Sequence, residues 1–242
     1  MMNKTFLLLL SLFLLVAAAP GTVAAQDAIQ EEGWKFGIEF YGWAASVGGK
    51  SAFGGDIDVD FDDLLSDLEM AFMGGFAARK GKWSLLADVM YLNLEDDEDV
   101  APGVKTSVEV KGWVVTPLIG YNFLETEKIS LHGVAGARYL WLKAYLDLSG
   151  YPAVSDKGHV WDAVVGVRGQ VNLTKKWYLP FYGDVGTGDS DLTWQVLAGI
   201  GYKFKWFDVV AAYRYLDWDF DDNPAIDDLN FSGPIVGIKF VF

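Results

Sequence analysis

Eight charged residues sit inside otherwise apolar stretches: Lys35, Glu39, Asp88, Arg138, Asp162, Arg168, Asp184 and Arg214, with Lys203 and Lys239 in similar settings. Guanidinium groups and carboxylates brought together can lock into ion pairs, line a constriction for ions, or move protons for a substrate. Proton transfer would draw on histidine, and the chain has two. His132 has no serine or acid at its own level along the chain. His159 stands near Asp156 and Asp162, a polar constellation from which a general base could be built. A polar histidine at a rim is the commoner use of such a residue, so no catalytic residue is assigned. The chain has no Cys, which excludes a thiol nucleophile, a thiolate metal site and a disulfide framework. No cofactor is expected.

The stretches that carry these charges have a period of two. From Trp161 to Leu173, Trp161, Ala163, Val165, Val167, Val171 and Leu173 share one face, while Asp162, Arg168, Gln170 and Asn172 share the other. Successive side chains of a strand point to opposite faces, so this is a strand with an apolar side and a charged side. The same alternation runs through Trp194–Phe204, Trp83–Tyr91 and Trp113–Phe123. Ten such segments are predicted, over 33–47, 69–80, 82–95, 104–124, 129–148, 159–173, 177–187, 191–204, 207–220 and 229–242. Alternate connections are short: Lys80-Gly81-Lys82, Glu125 to Lys128, Thr174-Lys175-Lys176 and Lys205-Trp206. The others are mostly longer and acidic, the asymmetry of an outer-membrane barrel with periplasmic turns. Placing both termini on the turn side needs an even strand count, which ten satisfies.

The tryptophans agree with this reading. Trp34, Trp83, Trp177 and Trp206 lie beside the short turns; Trp43, Trp113, Trp141, Trp161, Trp194 and Trp218 lie about ten residues away. Two aromatic belts at that spacing mark the two interfaces of a bilayer, and all ten are placed in them. The fold expected is therefore all-β: a transmembrane, antiparallel, up-and-down barrel of ten strands. Pro117, Pro180 and Pro234 fall inside strands and cannot donate to a ladder, so bulges or broken pairing are expected there. Leu64, Leu65 and Leu68 have helical spacing, which predicts a short helix on the first external loop.

The N-terminus has the form of a secretory signal, with Lys4, an apolar run from Phe6 to Ala19, a break at Pro20-Gly21, and small residues Val23-Ala24-Ala25 before Gln26. Residues 1–25 are expected to be cleaved, leaving 26–242 as one barrel domain. Val236, Ile238, Phe240 and the final Phe242 share a face. This end resembles the C-terminal aromatic signature by which the barrel assembly machinery recognises bacterial outer-membrane proteins.

Acidic residues outnumber basic ones 33 to 18 once Lys4 is removed with the signal, a formal charge of −15. That balance excludes nucleic acid as a partner, since phosphates must be met by Lys and Arg. The excess gathers in three groups: Asp56 to Asp67, Glu95 to Asp99, and Asp217 to Asp228. Their 17 carboxylates leave 16 acids against 18 bases, so the rest is nearly neutral. A solvated outer surface accounts for them. A divalent-cation site is the sharper alternative, with Asp56, Asp58, Asp60 and Asp62 as candidate ligands at EF-hand spacing. Phe61 stands where that loop needs Gly and Asp67 where it needs Glu, so only a loose Ca²⁺ or Mg²⁺ site, shared with lipopolysaccharide phosphates, stays open.

Trp177 to Trp194, followed by Gln195 and Ala198-Gly199, together with Tyr213-Arg214-Tyr215-Leu216-Asp217, resembles small proteobacterial outer-membrane barrels of unassigned function, the OmpA-like or porin-like group. The resemblance implies fold and location, with outer-membrane lipid and lipopolysaccharide as surroundings. It assigns no catalytic residue. Ten strands enclose a lumen little wider than side chains can fill, and unpaired charges there are costly. The expectation is a salt-bridged plug that includes Arg168, a structural or surface-interaction role, and no enzymatic activity. A narrow channel for small solutes or ions is the alternative, and an enzyme at the outer rim a third class.

Overall fold

The computed structural model describes residues 33–51, 55–101, 104–148, 153–221 and 226–242. The expected signal lies outside the described residues, as does Asp222. Ten long strands form the wall: β1 (Lys35–Trp43), β4 (Leu68–Lys80), β5 (Trp83–Ala101), β6 (Val104–Glu125), β7 (Ile129–Leu148), β8 (Val154–Asn172), β9 (Trp177–Gly188), β10 (Leu192–Lys203), β11 (Asp208–Asp219) and β12 (Ile226–Val241). Each pairs antiparallel with its neighbours in chain order, and β12 returns to β1 from Gly37↔Val241 to Trp43↔Ile235. The last residue finishes the seam. Phe36 and Phe242 exchange backbone N–H···O bonds of 2.7 and 2.9 Å. The sheet is a closed ten-stranded barrel.

Two further strands belong to the first loop. β2 (Ser46–Ser51) keeps the register of β1 along β12, from Trp43↔Ile235 to Ser46↔Ser232, after a break at Ala44-Ala45. β3 (Asp56–Val59) folds back on β2 and pairs with it alone. Exposed Asp56 and Asp58 put charge on that open edge, which deters pairing with another chain. The expected helix follows as α1 (Phe61–Ser66), with acidic Asp62 and Asp63 in its first turn, where the helix dipole favours them.

The prolines break the ladder without bulging it. Against β7, pairing stops after Val115↔Tyr139 and resumes at Leu118↔Gly136 in the same register, while Pro117 stays paired with Ala87 of β5. Pro180 leaves the same one-sided gap against β10, and Pro234 faces the break between β1 and β2. A proline lacks a donor on one side only, so one ladder suffers and the other holds. Gly136 crosses the first gap at close range: a Cβ there would stand 2.1 Å from the Pro117 carbonyl oxygen. Gly81, with φ +57°, opens the two-residue turn between β4 and β5, where a type II′ hairpin needs it.

Two expectations need correction. The acidic run Glu95–Asp99 is strand rather than loop: β5 and β6 continue pairing past Glu95↔Glu109 to Asp99↔Lys105. Val104, Thr106, Val108 and Val110 supply β-branched residues at alternate positions of β6, which favours continuing the ladder. The second correction concerns tryptophan. Trp34, Trp83, Trp177 and Trp206 are exposed beside the turns, and Trp113 and Trp161 are exposed near the loops, but Trp43 and Trp218 are buried inside the barrel. Between the belts the outer face is apolar and exposed, with Phe40, Phe76, Ile119, Val165, Val196, Ile200, Val236 and Ile238 forming a lipid-facing band.

Candidate functional site

The interior divides into three levels. The loop half is filled by apolar side chains: Trp43, Met73, Met90, Val114, Leu140, Leu216, Trp218, Phe220, Leu229 and Ile235 form one cluster. Leu216 and Trp218 are 0% exposed. Each stands on the inward face because it shares strand parity with a lumenal charge, Trp218 with Arg214 and Trp43 with Glu39.

Beneath this cluster lie two guanidinium sites. Arg214 on β11 reaches across the lumen: its Nη2 lies 3.0 Å from Asp88 Oδ2, and its Nη1 donates to the Tyr41 hydroxyl at 3.1 Å. Tyr41 donates in turn to Asp88 Oδ1 at 2.7 Å, and Arg214 Nε donates to Gln195 Oε1 at 2.9 Å. The guanidinium sits 4.9 Å from the Trp43 ring centre. Arg138 on β7 is held similarly. Its Nη2 is 2.5 Å from Asp184 Oδ2, with both side chains 0% exposed. Its Nη1 donates to Thr193 at 2.8 Å, and Thr193 donates to the Asp217 carbonyl at 2.8 Å. Tyr182 also donates to Asp184, and the Trp218 ring lies 5.8 Å from the guanidinium carbon. Each arginine thus has carboxylate, polar and aromatic partners, the combination that suits a buried guanidinium.

Asp162 is Arg138's neighbour across the ladder, yet its Oδ1 accepts the Ser190 backbone N–H at 3.0 Å instead. Asp162 Oδ2, Asp184 Oδ1, Arg138 Nε, Ser190 Oγ and Trp218 Nε1 are buried without a hydrogen-bond partner in the protein. Two carboxylates around one guanidinium leave one negative charge in excess at this site.

The turn half is a cavity of about 450 Å³, lined by Lys35, Glu39, Arg168 and Lys239 among others. Among the described residues Arg168 has no hydrogen bond or ion pair; its neighbours across the ladders are His132 and Tyr182. At the mouth Arg79 meets Glu125 at 3.1 Å. The eight predicted lumenal residues therefore do not form one network. Arg138–Asp184 and Arg214–Asp88 are pairs, Asp162 borders the first, and Lys35, Glu39 and Arg168 line the cavity. Sequence reasoning missed the partners Tyr41, Tyr182, Thr193 and Gln195, although all four share the inward parity of the charges.

The rim constellation does not assemble. His159 is exposed on the outer face, 6.5 Å from the Tyr139 ring centre, whereas Asp162 is buried on the inner face. The acidic metal candidates also stay apart. Among the described residues no three of His, Cys, Asp or Glu converge as ligands. Asp56 and Asp58 lie on β3, Asp60 precedes α1, and Asp62 is in its first turn.

No protein-family model matches the chain, and no curated protein matches its sequence. Solved structures do match. The outer membrane protease OmpT from Escherichia coli superposes with a TM-score of 0.56 at 12% identity, covering 90% of this chain and 100% of that one. The translocator domain of the autotransporter NalP from Neisseria meningitidis gives 0.48 at 13% identity, covering 90% of each chain. Ail, the attachment invasion locus protein of Yersinia pestis, gives 0.42 at 15%, covering 87% and 99%. At such identities the likeness is one of fold, carried by the first superposition. The chain has the fold of a small outer-membrane β-barrel.

Proposed function

We propose that this protein is an integral outer-membrane barrel with a closed lumen, serving a structural or surface-interaction role. The observation that carries this reading is the apolar cluster across the loop half of the interior. A solute path would have to pass Trp43, Leu216 and Trp218, then the Arg138 and Arg214 sites, which leave little polar surface for a water column. In the proposed orientation the short turns and both termini face the periplasm, and the acidic β2–β3 hairpin and β5–β6 extension face outward. There the carboxylates meet lipopolysaccharide, with divalent cations between them and its phosphates. Phe242, 68% exposed on the lipid face, is the proposed contact for the barrel assembly machinery. Liposome swelling tests the closed lumen: vesicles carrying the protein should swell in small sugars no faster than empty ones, and fast swelling would refute it.

A further inference from the structure

The turn-half cavity has a charge opposite to that of the protein around it. Its lining includes the bases Lys35, Arg79, Arg168, Arg214 and Lys239. Against them stand the acids Glu39, Asp88 and Glu125, so five bases face three acids in a chain of net charge −14. The Arg79–Glu125 and Arg214–Asp88 pairs cancel four of these charges. Of the remaining bases, Arg168 and Lys239 stand with Glu39 in the lining.

Arg168 and Lys239 are placed to act together. They project from β8 and β12, four strands apart around the wall, and both line the cavity. Lys239 is flanked along its ladders by Glu39 and Asp208, but neither forms an ion pair with it. Asp208 instead accepts the Tyr178 hydroxyl at 3.0 Å. Two basic groups that line one cavity, neither held in an ion pair among the described residues, describe a slot for an anion, which would gain charge-assisted hydrogen bonds from both. Beside polar side chains such as Thr116, Tyr182 and Gln195, the lining offers apolar surface at Leu86, Leu118, Leu197 and Ala212. A volume of about 450 Å³ suits a small molecule rather than a chain end.

We propose that this cavity binds a small organic anion that enters from the turn end, with its negative group between Arg168 and Lys239 and its apolar body against those four residues. The proposal rests on the closed-lumen reading, which makes the cavity a dead-end pocket rather than part of a channel. The test uses the full barrel in phosphatidylcholine nanodiscs. Fluorine NMR follows para-fluorobenzoate, para-fluorophenyl phosphate and neutral para-fluorobenzamide, with empty nanodiscs as the blank. At least one of the two anions should bind saturably and the amide should not. Arg168→Gln and Lys239→Gln should each weaken anion binding about tenfold or more. Lys239→Arg should retain it, and Lys175→Gln, the same charge change on an exposed short turn outside the cavity lining, should leave it unaltered. Heat-modifiable gel mobility checks that each variant is folded. Failure of both anions, equal binding of the amide, or unchanged affinity in the folded Gln variants would overturn the site. Conductance measured on the same protein separates the two readings. A conducting barrel that still binds the anion refutes closure alone, and a silent barrel that binds neither anion refutes the site alone.

Discussion

Replacing Arg138 by Ala removes the single cation from a site that also holds Asp184 and Asp162. The Arg138–Asp184 contact is 2.5 Å with both side chains fully buried, so the variant strands a carboxylate that water does not reach. Breaking a buried pair in this way costs about 3–5 kcal/mol. Arg168 provides the comparison. It lines the cavity without an ion pair among the described residues, so Arg168→Ala should change stability by only about 0.5 kcal/mol. A salt-bridged plug that included Arg168 would put a loss of about 3–5 kcal/mol there, and the observed pairing puts it at Arg138 instead. Urea unfolding from lipid vesicles, followed by tryptophan fluorescence and extrapolated to water, measures both. Two further variants test the cause. Arg138→Met with Asp184→Leu removes both charges and should cost less than the single changes added together. Asp162→Asn keeps the acceptor for Ser190 and removes the excess charge, so on Arg138→Ala it should restore about 1 kcal/mol. Equal losses for Arg138→Ala and Arg168→Ala would refute the reasoning.

Deleting Phe242 removes both backbone bonds to Phe36 and an exposed terminal ring, and should lower outer-membrane insertion while export continues. Fractionation and gel mobility report this, and normal levels of heat-modifiable protein would count against it. Cysteine at Asp97, on the β5 extension, should label in intact cells with an impermeant reagent, whereas cysteine at Gly81 should label only after the outer membrane is opened. The reverse pattern would invert the proposed orientation.

Much of the wall was legible in the sequence because strand parity is a local property. The alternation from Trp161 gave the faces of β8 from there to Asn172, and the short turns gave the order of neighbours. The helix at Phe61–Ser66 was visible for the same reason, as a local change of period. What escaped depended on placement across the barrel. Trp43 and Trp218 were assigned to belts by their height along the chain, although their parity with Glu39 and Arg214 put them inside. Parity shows which residues share the lumen but not which of them meet. Arg214 finds Asp88 from β11 to β5, and Arg168, beside His132 and Tyr182, finds no acid among the described residues. The extension of β5 through Glu95–Asp99 was read as loop from its charge, but backbone pairing continues through it, so charge alone does not mark a strand's end.

The claim that the loop half of the lumen is closed is tested most directly by single-channel recording in planar bilayers. The account predicts no stable conductance steps from the native barrel, and steps that appear when Trp43→Ala and Trp218→Ala are combined in a variant that still folds. Stable steps from the native protein, unaltered by those two changes, would contradict it.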